Sequence, residues 1–62
     1  MQIVVRKIMV SGTPSYLTAT GFTSLRAKDA RTFISMNRAR EAAQFQNDTF
    51  PNPDEVWEAA TI

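Results

Sequence analysis

The chain has 62 residues, 44% of them hydrophobic and 21% charged, with a net charge of +1 and neither histidine nor cysteine. That composition argues against disorder, which needs lower hydrophobicity or a larger net charge. It also leaves no imidazole and no thiolate, so the usual transition-metal sites, a cysteine nucleophile and a serine–histidine couple are all excluded.

A chain of 62 residues makes one domain at most, spanning residues 1–62. At about 60 residues a fold hides only about 60% of the surface its unfolded form exposes, so the core is thin. With no disulfide or structural metal to help, stability has to come from packing, self-association or a partner. No apolar run approaches the ~18 residues that span a bilayer. Residues 1–10 carry Arg6 and Lys7 inside their apolar stretch and have no small-residue cleavage site behind them, unlike a secretory signal. The expectation is a cytoplasmic protein with no membrane contact.

Charge is unevenly placed. All seven bases (Arg6, Lys7, Arg26, Lys28, Arg31, Arg38, Arg40) lie in residues 1–40, against the single acid Asp29. Residues 41–62 hold Glu41, Asp48, Asp54, Glu55 and Glu58 and no base, so the two parts carry +6 and −5.

Residues 2–10 (QIVVRKIMV) are rich in β-branched side chains and predict a strand with both faces partly apolar, which places it centrally in a sheet. The cluster Ser11-Gly12-Thr13-Pro14 predicts a turn, and Tyr16 to Phe22 a second strand, together a β-hairpin. Gly21 within that second strand predicts a bulge or a close backbone approach. Thr32-Phe33-Ile34 predicts a short third strand. Beyond it Met36, Ala39, Ala42, Ala43 and Phe45 recur at helical spacing, with Arg38, Arg40, Glu41 and Gln44 toward solvent. This predicts a helix over about 36–46, capped by the Ser35 hydroxyl and ending at Asn47-Asp48.

The tail reads two ways. Asn52-Pro53-Asp54-Glu55 has the form of a helix start. Val56 to Ile62, however, alternates as a strand. Three arguments favour the strand: the remaining length allows barely two helical turns, β-branched and aromatic residues dominate, and the first strand needs neighbours. An acidic last strand beside Arg6 and Lys7 also sets opposite charges across the pair. The fold class expected is α+β: a small antiparallel sheet of β-hairpin, third strand and terminal strand, with one α-helix on a face.

The stretch Gly21-Phe22-Thr23-x-Leu25, followed by Ala30-Arg31-x-Phe33-x-Ser35 and Ala39-x-x-Ala42-Ala43, is similar to a pattern in many short phage and prophage proteins. These combine an N-terminal hairpin, an "A-R-x-F" strand, an alanine-rich helix and a terminal strand. The resemblance covers most of the chain and implies an accessory protein that blocks or redirects a host protein, such as a defence nuclease complex, in the bacterial cytoplasm.

The residues themselves carry little chemistry. Acid–base work by paired carboxylates needs two acids facing across a cleft, and Asp54 and Glu55 are sequence neighbours in an exposed-looking acidic half. No spacing sets Lys7 or Lys28 beside Ser11, Ser15, Ser24 or Ser35. Gly12 and Gly21 form no phosphate loop, and Asn47-Asp48 lacks a calcium-loop pattern. The chain is therefore expected to be no enzyme, with no catalytic residue, no metal ligand and no cofactor. The basic set Arg26, Lys28, Arg31, Arg38 and Arg40 fits phosphate contact, with Tyr16 or Phe22 on an exposed sheet face available for base stacking, although the domain is not basic overall. Six aromatic side chains in so small a body are expected to be mostly core. Trp57 reads first as core and second as an interface anchor if its strand lies at an edge. A protein partner is expected first, nucleic acid second, with self-association as a further option.

Overall fold

The computed structural model describes residues 1–9 and 12–62; the expected strand end at Val10 and the turn residue Ser11 lie outside them. Strand β1 (Ile3–Met9) is central in a four-stranded antiparallel sheet, between β2 (Ser15–Leu17) and β4 (Glu55–Thr61), with β3 (Thr23–Ser24) beyond β2. One helix, α1 (Met36–Thr49), packs on one face against β1 and β4. The α+β class and the central position of the first strand are as the sequence predicts.

Side-chain alternation along β1 explains its place. Ile3 and Val5 face the helix, where Val5, Leu17, Ala39, Ala43 and Trp57 form the buried core and Ile3, Phe33, Ala42 and Ala59 close round it. Val4, on the opposite face, is fully buried as well. A strand with a fully buried valine on each face cannot sit at an edge without exposing one of them. Alanines at 39 and 43 bring α1 close to the sheet, and the space they leave is taken by the Trp57 ring, 8% exposed.

The terminal segment is a strand, in register with β1 along its whole length: Arg6 opposite Glu58 and Lys7 opposite Trp57. The expected charge pairing is present. Arg6 Nε donates to Glu58 Oε1 at 2.8 Å, and Lys7 Nζ lies 3.5 Å from Glu55 Oε2. Lys7 Nζ also stands 5.5 Å from the centre of the Trp57 ring. Its apolar stem and its charge both gain from the indole there. The helix-like opening at Asn52-Pro53 is instead a turn into β4. Asn52 Oδ1 accepts from the Asp54 amide at 2.9 Å, and the Asn52 carbonyl accepts from the Glu55 amide at 3.2 Å. An asparagine side chain accepting from the amide two residues on serves a turn as well as a helix cap, which is why the sequence reads both ways.

Two expected elements differ. The strand expected over Tyr16 to Phe22 breaks after Leu17 into a tight hairpin: Gly21 N–H donates to the Thr18 carbonyl at 3.1 Å and Thr18 N–H to the Phe22 carbonyl at 2.9 Å. Gly21 has φ +89°, and a Cβ there would meet nothing within 4 Å. The glycine is required by a left-handed turn position, and the expected bulge or close approach is absent. The third strand is therefore Thr23–Ser24, and Thr32-Phe33-Ile34 is no strand. Only Phe33 is bridged, its amide donating to the Ile3 carbonyl at 2.8 Å, while Arg31 N–H reaches the Leu17 carbonyl at 2.8 Å. The segment serves as a strap fastened to both β1 and β2.

Helix α1 begins as expected, with Ser35 Oγ accepting from the Arg38 amide at 3.2 Å. It runs on to Thr49, three residues past the expected end, because Asn47 is engaged by the sheet. Its Nδ2 donates to the Trp57 carbonyl at 3.0 Å and its Oδ1 accepts from the Trp57 amide at 2.9 Å. This side chain occupies the outer edge of β4 as a neighbouring strand would.

Replacing Asn47 by Ala should lower stability by about 1–3 kcal/mol, since both backbone groups of Trp57 lose their partner. The readout is a lower urea midpoint with an unchanged slope; an unaltered midpoint would show that the clamp contributes nothing. Overpacking the same contact from the other side, with Ala43→Leu, should cost about 1–3 kcal/mol by the same measurement. A neutral Ala43→Leu would mean that the helix–sheet spacing is not set by Trp57.

Candidate functional site

The sheet pairs consume Arg6 and Lys7, so the bases left for another role are those between residues 26 and 40. A 3-10 turn, Ala27–Asp29, follows β3 and carries two of them outward: Arg26 enters it and Lys28 lies within it, both exposed. The turn is organised by Ser24, whose hydroxyl donates to Asp29 Oδ2 at 3.0 Å and accepts from the Arg26 amide at 3.1 Å. Asp29, the one acid among the first forty residues, is thus engaged in holding the loop. Two exposed apolar side chains flank the same loop: Phe22, 77% exposed, and Leu25. The backbone at Phe22 is fixed, its carbonyl taking both the amide and the hydroxyl of Thr18, while its ring stands free.

The remaining three bases divide. Arg31 and Arg38 converge on a groove of about 470 Å³ between the 31–34 strap and α1, with Phe33, Ile34 and Ala42 as its apolar lining and Glu41 as its one acid. The Arg31 guanidinium lies 4.7 Å from the centre of the Phe33 ring. Arg40 is two residues past Arg38, about 200° round the helix at 3.6 residues per turn. It borders a second hollow of about 390 Å³ beside Trp57, Asn47 and Glu58. The five bases proposed from the sequence therefore form no single basic surface. Neither do the proposed aromatics join them. Tyr16 stands opposite Arg6 on the helix-free face of the sheet and is half-buried. Trp57 is core, so the reading of it as an exposed anchor is not what the fold presents.

The expectation that most aromatics are core is overturned at three positions. Phe22, Phe45 and Phe50 are all more than half exposed, and so is Ile34, at 92%. Phe45 had a legible signal: it lies two residues beyond the buried Ala43, about 200° away, and so belongs to the outer side of the helix. Ile34 follows the half-buried Phe33 at the bend that leads into the helix, one residue beyond the bridge to Ile3. Phe50 gave no comparable signal, because it follows the last helical residue, where the periodicity ends.

Among the described residues no group of three or more acids gathers as a metal site, no buried side-chain polar atom lacks a hydrogen-bond partner, and no helix is long and apolar enough to cross a membrane. What the surface offers is a pairing of fixed backbone with free apolar and basic side chains. In comparison with known proteins, the chain matches no protein-family model, no curated protein and no solved structure.

Proposed function

We propose that this protein acts by binding, without catalysis, and that its first partner is another protein held at the loop running from Phe22 to Lys28. The carrying observation is the grouping there of exposed apolar and basic side chains, Phe22, Leu25, Arg26 and Lys28, on a backbone fixed by Thr18, Ser24 and Asp29. Exposed apolar side chains beside charge are the usual make-up of an interface centre and its rim. A rigid loop also loses little conformational freedom on binding. The partner fitted to this loop carries an apolar hollow bordered by acids. The resemblance to short phage proteins supplies a biological frame, in which the partner is a host protein such as a defence nuclease complex and binding blocks or redirects it.

Nucleic acid is the second reading, favoured by Arg26 and Lys28, exposed on one loop and in no ion pair among the described residues, with Arg31 near them in sequence though it borders the groove. Affinity for phosphates falls steeply with salt.

Affinity capture from a bacterial lysate with the tagged chain should retain one protein in stoichiometric amount, and Phe22→Asp or Leu25→Asp should reduce its recovery at least about tenfold. Both side chains are exposed, so each variant should keep the wild-type stability within about 0.5 kcal/mol. Capture that survives both substitutions would refute this surface. In a parallel mobility-shift assay at two ionic strengths, binding at low salt that is lost on Arg26→Glu/Lys28→Glu would establish the nucleic-acid reading in its place.

A further inference from the structure

Two exposed features at opposite ends of α1 are left over by the loop around Phe22. One is the groove at the start of the helix, where Arg31 and Arg38 border an apolar lining of Phe33, Ile34 and Ala42 and only Glu41 opposes them. Neither guanidinium enters an ion pair among the described residues. The other feature is the connection that leaves the end of the helix, where the Phe50 ring is 65% exposed. Asp48 precedes that ring and Asp54 follows it, and the connection contains no base. Phe50 stays tied to the helix through its amide, which donates to the Gln46 carbonyl at 2.9 Å. Pro51, Pro53 and the Asn52 turn stiffen the chain beyond it. The result is an apolar plug flanked by acids and presented on a restrained backbone.

We propose that the Phe50 segment of one copy docks into the Arg31/Arg38 groove of a second copy, its ring on Phe33, Ile34 and Ala42 and its two aspartates toward the two guanidiniums. The match is one of charge and of size. The groove encloses about 470 Å³. That lies within the range of clefts that hold compact apolar ligands, and leaves room for a phenyl ring with its flanking backbone. The occupant cannot come from the same molecule. The helical lining of the groove, Arg38 to Ala42, lies in the first half of α1, whereas Phe50 follows the last helical residue, Thr49. From Ala42 to Phe50 is eight residues, about 12 Å along the axis at about 1.5 Å per residue, beyond the reach of a ring whose amide is held to the helix end. The contact is head-to-tail: each copy that fills a groove keeps its own groove open, so association extends into a chain or closes as a ring. So small a contact belongs among weak interfaces, below about 1200 Å², and exchanges readily. It also uses none of Phe22, Leu25, Arg26 or Lys28, so it stands or falls independently of the partner surface proposed above.

Sedimentation velocity of the full chain between about 10 μM and about 1 mM reads the proposal directly. The average mass should rise with concentration and rise less at high salt, which screens the aspartate–arginine attraction. Phe50→Ser should weaken association at least about tenfold, while Phe22→Asp leaves it unchanged. Groove reversal (Arg31→Glu/Arg38→Glu) and plug reversal (Asp48→Lys/Asp54→Lys) should each give a monomer, because groove and plug then repel. Mixing the two reversed variants re-creates opposite charges between the reversed groove and the reversed plug and should restore growth in mass. A wild-type chain that stays monomeric throughout the range overturns the proposal. So does growth that Phe50→Ser leaves intact, which would assign self-association to another surface such as the helix-free face of the sheet. Circular dichroism of each variant confirms the fold, and Phe50→Ser, at an exposed position, decides the matter even if a charge reversal does not fold.

Discussion

Asn47 and Trp57 hold the terminal strand, the central strand and the helix as one body. The asparagine amide satisfies both backbone groups of Trp57 on the open side of β4. The indole fills the space left by Ala39 and Ala43, and Lys7, directly across the ladder, lies along its ring. Each of these contacts fixes a different relation: helix to strand edge, helix to sheet face, and strand to strand. Few alternatives exist where, among the described residues, the largest fully buried side chains are two valines, Val5 in the core under the helix and Val4 on the opposite face. A fully buried valine contributes about 1.5–3 kcal/mol, so the one large aromatic in the cluster carries a disproportionate share.

The ion pairs of the sheet have a smaller energetic role than their geometry suggests. Arg6 and Glu58 keep 34% and 45% of their side-chain surface in water. Exposed pairs of this kind contribute about 0–1 kcal/mol. Their value lies in register. Sliding β4 by one residue would remove Arg6 from Glu58 and turn Trp57 out of the core, so charge and burial select the same alignment. With Arg6, Lys7, Glu55 and Glu58 paired inside the sheet, the charge asymmetry read from the sequence persists only in side chains outside it. Those are the ones free to meet something else.

How much of this the sequence discloses depends on the range of the forces involved. Strand β1, the Ser35 cap and the acidic terminal strand are legible because short-range preference, patterning and charge agree there. The third strand is not. Thr32-Phe33-Ile34 has strand composition, but the strap that contains it divides its hydrogen bonds between Ile3 and Leu17, two partners that only the tertiary fold brings together. The break after Leu17 was signalled by Gly21, whose positive φ a turn needs and a continuing strand does not. Of the proposed site residues, Arg26, Lys28, Arg31, Arg38 and Arg40 are all exposed. Their separation into a loop and a groove, with Arg40 on another flank, follows from helix geometry and from the strap's course, neither of which is a property of the basic residues themselves.

One helix also explains why the apolar surface outside the core lies where it does. Four strands about 4.8 Å apart make a sheet roughly 15 Å across between its outer strands, and a helix with its side chains is about 10 Å wide. Helix α1 lies over β1 and β4, and Leu17 of β2 joins the same core cluster. Strand β3 and the residues bordering it are beyond its cover, so Phe22 and Leu25 have no core to join. A chain under selection for solubility alone would place polar residues there, since apolar ones add nothing to the packing and promote association. Their presence on a loop stiffened by Thr18, Ser24 and Asp29 is a cost without a return inside the fold. That cost is the physical ground for the proposal that this protein works by attachment to a surface outside it.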